Sequence, residues 1–286
     1  MKTALIMEGG AMRGMFTCGV LDVLLRKKIT FDAAAGISAG AVFGCNFKSA
    51  QIGRALRYNK KYCGDWRYCS LRSLLLTGDL YGADFCYRTL PDELDVFDRQ
   101  AFQSNPMKFF VGATDVKTGR CIYHECTDGN EDDMLWLRAS ASMPLVSRPV
   151  AVNGTLLLDG GIADAVPFAY MKKLGYEQNV IILTQPRNYR KMPLKGKALY
   201  RLLLHKYPSI YEALCARYEM YNRQMDEIDR REQDGISLVL RPPQKLAIGH
   251  REKNPEKLEQ VYRVGEAEAI KRLQEIDAFL KKNIPG

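Results

Sequence analysis

Short, unbroken apolar runs alternate with longer amphipathic stretches along the first two hundred residues. Thr3-Ala4-Leu5-Ile6-Met7 is such a run, bounded by Glu8 and a glycine-rich segment. A continuous apolar run of this length predicts a strand buried on both faces. Met15 to Lys28 places Phe16, Val20, Val23 and Leu24 at helical spacing and closes on Arg26-Lys27-Lys28, cations that suit a helix C-terminus. Phe31 to Ile37 predicts a second strand. From Ala39, the small residues Gly40, Ala41 and Gly44 open a helix able to lie close to a sheet. Strand, helix, strand, helix in this order implies a parallel βαβ unit with a right-handed crossover.

Leu71 to Asn105 reads as mixed and helical, with turns at Thr77-Gly78-Asp79 and Pro91-Asp92. Met107 to Thr114 and Cys121 to His124 are strand-like, joined by a turn at Lys117-Thr118-Gly119. Glu131 to Ser142 reads as a helix stopped by Pro144. Arg148 to Val152 and Thr155 to Leu158 flank Asn153-Gly154, the strongest hairpin signal in the chain. Asp164 to Leu174 reads as a helix with Pro167 in its first turn, and Val180 to Leu183 as a buried strand. Helices follow through Arg231, then a strand at Ile236 to Leu240, then an amphipathic helix from Asn254 to Lys282 interrupted at Gly265. The expected division is a core over residues 1–190 and a mainly helical extension over 191–286, whose late strand would join the same sheet. No internal repeat is visible.

The 286 residues, 47% hydrophobic and 26% charged, are enough for one large domain or two small ones with a sizeable core. No apolar stretch is long enough to span a bilayer, and no signal peptide is visible, so a cytoplasmic location is expected. The eight cysteines (Cys18, Cys45, Cys63, Cys69, Cys86, Cys121, Cys126, Cys215) include no Cys-x-x-Cys pair. They read as reduced thiols, and with three scattered histidines no metal site is expected. The net charge of +9 points to an anionic partner. Between Arg187 and Lys206 lie seven Lys or Arg and no acid, interleaved with Tyr189, Tyr200 and Leu202-Leu203-Leu204. This is the pattern of a segment lying on an anionic membrane surface, or, more plainly, of a solvated helix face. No nucleic-acid motif is present, and no nucleic-acid partner is expected.

The candidate chemistry lies in three segments. Ser38 stands in Gly36-Ile37-Ser38-Ala39-Gly40 at a strand-to-helix junction, the setting of a nucleophile elbow, where Gly36 and Gly40 permit the sharp turn. Gly9-Gly10-Ala11-Met12-Arg13-Gly14 also joins a strand to a helix, and its N–H groups can stabilise an anion. It lacks the Gly-Lys-Ser/Thr of a P-loop and, with Ala11, the second glycine of a dinucleotide loop. Arg13 orients this loop, contacts a lipid phosphate, or pairs with Glu8. Asp159-Gly160-Gly161 ends an apolar strand. By itself it reads as a turn; with Ser38 in the chain, Asp159 becomes a candidate base.

Together, these three motifs in this order resemble the patatin-like phospholipase family, in its bacterial branch. Ala139-Ser140-Ala141-Ser142-Met143-Pro144 resembles the family's small-residue segment, and Ala113-Thr114-Asp115 with Thr118-Gly119 its central strand pair. The resemblance covers roughly the first two thirds of the chain. It implies a three-layer α/β/α fold with a mainly parallel central sheet, and a serine acyl hydrolase acting without cofactor on phospholipid or other lipid esters. Ser38 matches the nucleophile and Asp159 its partner in a dyad. The loop Gly9 to Gly14 matches the oxyanion hole, with Arg13 at its basic position. Gly36, Gly40, Gly160 and Gly161 match the supporting turns. Ala11 replaces a usual glycine, so a left-handed backbone there would be strained. Asp164 replaces a common asparagine. An ordinary carboxylate, with a pKa of about 4, is a weak base for a hydroxyl, and burial would strengthen it. Two rivals remain: a Ser-His-Asp triad using His205 or His250, both of which read as surface histidines, and a non-catalytic membrane or protein adaptor. His124, on a strand, reads as structural. Tyr58 to Gly82 and Arg187 to Lys206 are the lid candidates.

Overall fold

The computed structural model describes residues 2–282. Strand β1 (Thr3–Met7) leads through a tight 3-10 turn at Ala11–Arg13 into α1 (Gly14–Arg26), and β2 (Ala33–Ile37) runs directly into α2 (Ala39–Lys48). Next come α3 (Arg54–Tyr62), α4 (Leu71–Thr77), a π-wound segment (Phe85–Leu94) and α5 (Arg99–Ser104). Strands β3 (Lys108–Asp115) and β4 (Cys121–Cys126), helix α6 (Glu131–Ser140), the hairpin β5 (Val150–Val152) and β6 (Thr155–Asp159), α7 (Phe168–Lys173) and β7 (Gln178–Ile182) follow. The chain closes with α8 (Lys197–Leu203), α9 (Pro208–Gln233), β8 (Ser237–Leu240), α10 (Pro255–Lys271) and α11 (Leu273–Lys281).

The eight strands form one mixed sheet in the order β5-β6-β3-β2-β1-β7-β8, with β4 also paired to β3. Pairs β1–β2, β2–β3, β1–β7 and β7–β8 are parallel. The continuous apolar runs are explained by burial on both faces. Leu5, Met7, Ala34, Val180, Ile182 and Leu240 pack on one side with α1, α2, α3, α6 and α10. Ala4, Ile6, Ala33, Ala35, Ile181 and Val239 pack on the other with α7 and α9. The result is the expected three-layer α/β/α fold. At the hairpin, Asn153 and Gly154 both adopt positive φ (48° and 78°), the pair a two-residue primed turn requires.

Helix α1 is buried from Gly14 to Leu24 because α10 covers the side turned away from the sheet. The two backbones touch. A Cβ on Gly19 would lie 2.0 Å from the Tyr262 carbonyl oxygen, and one on Gly265 2.0 Å from that of Phe16. This corrects one expectation. Gly265 does not interrupt the last helix; it is where that helix crosses α1, and the break falls at Arg272. A second correction is smaller: α7 begins after Pro167, which forms its N-cap rather than part of its first turn.

Candidate active site

The edge of β3 explains how residues 38 and 159 meet. Strand β2 runs parallel along its first part and ends with Ile37 opposite Gly112. Strand β6 comes from the other direction and ends with Asp159 opposite Ala113. The two strands thus stop head to head at adjacent positions of one neighbour. Gly112 and Gly160 make room for this: a Cβ on Gly112 would lie 2.5 Å from Ile37 Cδ1, and one on Gly160 2.3 Å from the Gly112 carbonyl oxygen.

Ser38 has φ 54° and ψ −122°, a region costly for a side-chain-bearing residue by roughly 1–3 kcal/mol. The surroundings hold it there. Its N–H donates to Ser140 Oγ (2.8 Å), which donates to the Gly112 carbonyl (2.7 Å), and its carbonyl accepts from Ala41 and Val42 (3.0 Å each). Gly36 and Gly40 cannot carry a side chain, because a Cβ on either would come within 2.5 Å of the Gly40 or Met7 carbonyl oxygen respectively. Ser38 Oγ donates to Asp159 Oδ2 at 2.7 Å.

Asp159 is 2% exposed. Its Oδ1 accepts from the Gly161 N–H (2.8 Å), its own N–H donates to the Ser142 carbonyl (2.8 Å), and its carbonyl accepts from Thr114 Oγ1 (2.8 Å). Burial raises its carboxyl above the usual range; the Ser38 hydroxyl, Arg217 and the Gly161 N–H pull the other way. Asp164 closes the same turn through its N–H, which donates to the Gly160 carbonyl (2.9 Å); its carboxylate accepts from Gln224 Nε2 (2.7 Å) and the Tyr123 hydroxyl, and burial raises its pKa too.

The loop Gly9 to Gly14 lies over Ser38: a Cβ on Gly9 would come within 2.9 Å of Ser38 Cβ. Ala11 has φ 48°, the strained left-handed backbone its identity foretold. Among the described residues, the N–H groups of Gly10, Ala11 and Met12 meet no protein acceptor. Gly14 packs against the Phe43 ring, 2.7 Å from where a Cβ would stand. Ser38, Ala11 and Met12 open onto a cavity of about 400 Å³ lined by apolar side chains, among them Phe43, Tyr58, Leu80, Leu90, Phe97 and Met143. Thus Tyr58, Tyr68, Leu80 and Tyr81, from the first lid candidate, wall the chamber.

Neither histidine comes between Ser38 and Asp159, which pair directly. His205 is exposed and bonded to the Leu202 carbonyl (2.9 Å). His250 is nearer than its sequence setting indicated: its exposed ring reaches the cavity rim, with Nε2 3.5 Å from Arg13 Nη1, and partial burial and then Arg13 lower its pKa. Arg13 makes no pair with Glu8, whose carboxylate is taken by the Thr184 N–H (2.6 Å) and hydroxyl and the Tyr221 hydroxyl (3.0 Å). His124 stacks on Trp136 and bonds Asp133 (2.8 Å). Asp133 and Cys126 lie near that ring, but the free Asp133 oxygen already accepts three backbone N–H groups.

Two residues that sequence reading missed are Lys191 and Arg217. Arg217 Nε donates to the Gly161 carbonyl (2.6 Å), beside Asp159. Lys191 Nζ stands 4.7 Å from the Tyr221 ring centre; burial, then Arg217, lower its pKa to about 8. Lys191 belongs to the basic run seen in the sequence, but the run divides. Arg187 pairs with Asp229 (3.3 Å) and Arg190 with Asp226 (3.0 Å) on α9, while α8 leaves Leu199, Leu202 and Leu203 exposed.

A serine on a strained strand-to-helix elbow, hydrogen-bonded to a buried aspartate under a glycine-rich loop in a three-layer sheet, defines an α/β/α protein with a serine–carboxylate pair. A family model for patatin-like phospholipase matches residues 5–172, and the chain belongs to that family. A model for a domain of unknown function, DUF6363, matches residues 207–281. The chain is 31% identical over 208 residues to the uncharacterized protein YjjU of Escherichia coli, covering 71% of this chain and 57% of that protein. It is 27% identical over 176 residues to lysophospholipase NTE1 of Meyerozyma guilliermondii, covering 60% of this chain and 12% of the yeast protein. The crystal structure of VipD from Legionella pneumophila aligns with a TM-score of 0.47 and 10% identity, over 96% of this chain and 67% of that one. No helix among the described residues is long and apolar enough to cross a membrane.

Proposed function

We propose that the protein hydrolyses acyl esters of phospholipids or related lipids. One observation carries this reading: Ser38 Oγ is 2.7 Å from the buried Asp159 carboxylate and opens onto the apolar chamber, which fits an acyl chain. In the first half-reaction Asp159 Oδ2 takes the Ser38 proton as Oγ attacks the ester carbonyl carbon. The carbonyl oxygen becomes an oxyanion facing the free N–H groups of Gly10, Ala11 and Met12. The tetrahedral adduct collapses with cleavage of the bond to the alcohol oxygen, which leaves with the proton from Asp159. Water then attacks the acyl-enzyme, giving its proton to the same carboxylate. The released fatty acid carries the new oxygen, and Ser38 recovers its hydrogen. Exposed leucines of α8, beside Lys197 and Arg201, are the surface proposed to meet an anionic membrane.

The NTE1 relative is named a lysophospholipase, which favours a single-chain lipid as substrate. The test is fatty-acid release from lysophospholipid, together with fluorophosphonate labelling, by the wild type and by Ser38→Ala, Asp159→Asn and the double variant His205→Ala/His250→Ala. Loss of turnover in the first two with retention in the third is expected. An inactive double-histidine variant that is folded would replace the dyad by a triad. Vesicle binding with no labelling of Ser38 would leave an adaptor.

A further inference from the structure

We propose that Arg13, Lys191 and Arg217 form an anion subsite beside the Ser38–Asp159 pair, which receives the phosphate of a lysophospholipid whose headgroup carries no ammonium. This rests on the hydrolase reading and names its substrate class. Three elements remote in sequence supply the cations: the glycine-rich loop, the segment after β7, and α9. Among the described residues, none of the three stands in an ion pair, although the molecule pairs many of its surface arginines. Arg13 Nε is buried without a hydrogen-bond partner, and its Nη2 is 3.2 Å from where a Gly10 Cβ would stand. Arg217 Nη2 is 3.3 Å from the corresponding point on Gly161. The two guanidinium groups therefore flank the oxyanion loop and the Asp159 turn.

Lys191 is held toward them. Its N–H donates to Asn222 Oδ1 (2.9 Å), and its carbonyl accepts from Asn222 Nδ2 (3.0 Å), which fixes its backbone on α9. Its amine, lowered to about 8, remains mostly charged at neutral pH. Two carboxylates face the cluster, Glu8 and Asp159, and each is already engaged by two donors or more. The cations outnumber them, and neither carboxylate is free to meet an ammonium. An unpaired cluster of this kind, partly sheltered from water, gives its strongest interaction to a compact anion with several acceptor oxygens. In a monoacylglycerol phosphate the three-carbon glycerol separates such a group from the scissile ester, which the Ser38 geometry places against the chamber mouth.

The experiment compares kcat/KM of the full chain on three micellar substrates with one acyl chain: lysophosphatidate, lysophosphatidylcholine and monoacylglycerol. The expected order is lysophosphatidate first, with a preference over monoacylglycerol of about tenfold or more. Lys191→Met should bring that ratio close to one, and Lys191→Arg should restore most of it, which separates charge from folding. Equal rates on all three substrates, or a Lys191→Met variant that loses the same factor on each, overturns the subsite while leaving the hydrolase intact. Hydrolysis of none of the three removes the hydrolase reading and the headgroup assignment together. Inorganic phosphate competing as strongly as lysophosphatidate would make this a free-phosphate site and overturn the headgroup assignment.

Discussion

Asp159→Asn separates the chemistry of the site from its architecture. The asparagine oxygen can keep the Gly161 N–H now held by Oδ1 at 2.8 Å, and its amide can donate to Ser38 Oγ in place of the present bond. The turn survives and the proposed base is lost. Loss of a general base costs about 10²- to 10⁴-fold in turnover, equivalent to about 3–5 kcal/mol. Stability moves the other way. Burial raises the Asp159 pKa above its unfolded value. The folded state therefore keeps the proton at pH values where the unfolded chain has lost it. The stability contributed is fully present below the unfolded pKa and is lost as pH rises through the folded one. Above that, the wild type carries a charged carboxylate at a 2% exposed position, and asparagine removes the cost. The variant should melt higher than the wild type at about pH 8, by about 2–4 °C for each kcal/mol relieved, and the difference should vanish near pH 4. Fatty-acid release and thermal unfolding at the two pH values provide the measurement. Turnover within tenfold of wild type, or a lower melting point at the higher pH, would refute the reasoning.

Two other substitutions probe the frame and the chamber. Gly265→Ala puts a methyl 2.0 Å from the Phe16 carbonyl oxygen, backbone that can yield only by parting α10 from α1. A loss of roughly 1–3 kcal/mol is expected as a lower urea midpoint with an unchanged slope, and a wild-type midpoint would contradict the contact. Tyr87 and Met134 line both the apolar chamber and a neighbouring groove of about 1000 Å³. Tyr87→Ala should join the two and shift preference toward longer chains by roughly fourfold for each further methylene accommodated, about 0.8 kcal/mol each; an unchanged chain-length profile would show that the wall lies elsewhere.

The parts of this molecule legible in the sequence are those set by local rules. Continuous apolar runs gave β1, β2 and β7, and Asn153-Gly154 gave the β5–β6 turn, because burial and turn geometry act over a few residues. The elbow and the glycine-rich loop were legible as motifs, and the small-residue segment around Ser140 was visible as a resemblance before its job was. Its hydroxyl and the Ser142 carbonyl hold the backbones of both Ser38 and Asp159. Gly265 was misread because a lone glycine carries two meanings, a weak point in a helix or a close crossing, and only the partner Gly19 decides between them. Lys191 and Arg217 were invisible as site residues because nothing near them in sequence carries chemistry. The one available signal was the acid-free basic run, in which Arg187 and Arg190 are neutralised by α9 and Lys191, unlike the exposed lysines and arginine after it, is half-buried.

The division of labour along the chain follows from where these groups originate. The family match ends at residue 172, and within it lie the serine, the aspartate and the loop of free N–H groups. The groups that set the field around them come later: Thr184 and Tyr221 occupy Glu8, Arg217 braces Gly161, and Lys191 and His250 approach Arg13. They reach the site because β7 and β8 extend the sheet beside β1, so that the chain leaving β7 passes the glycine-rich loop, and α9 then packs across the face opposite α1. On the proposed reading the proton transfer belongs to the β2, β3 and β6 ends, and charge selection to Arg13 together with the segments added after them. Substitutions in the later segments should therefore change which ester is preferred while the Ser38–Asp159 bond stays in place. The lysophosphatidate-to-monoacylglycerol ratio measures that separation directly.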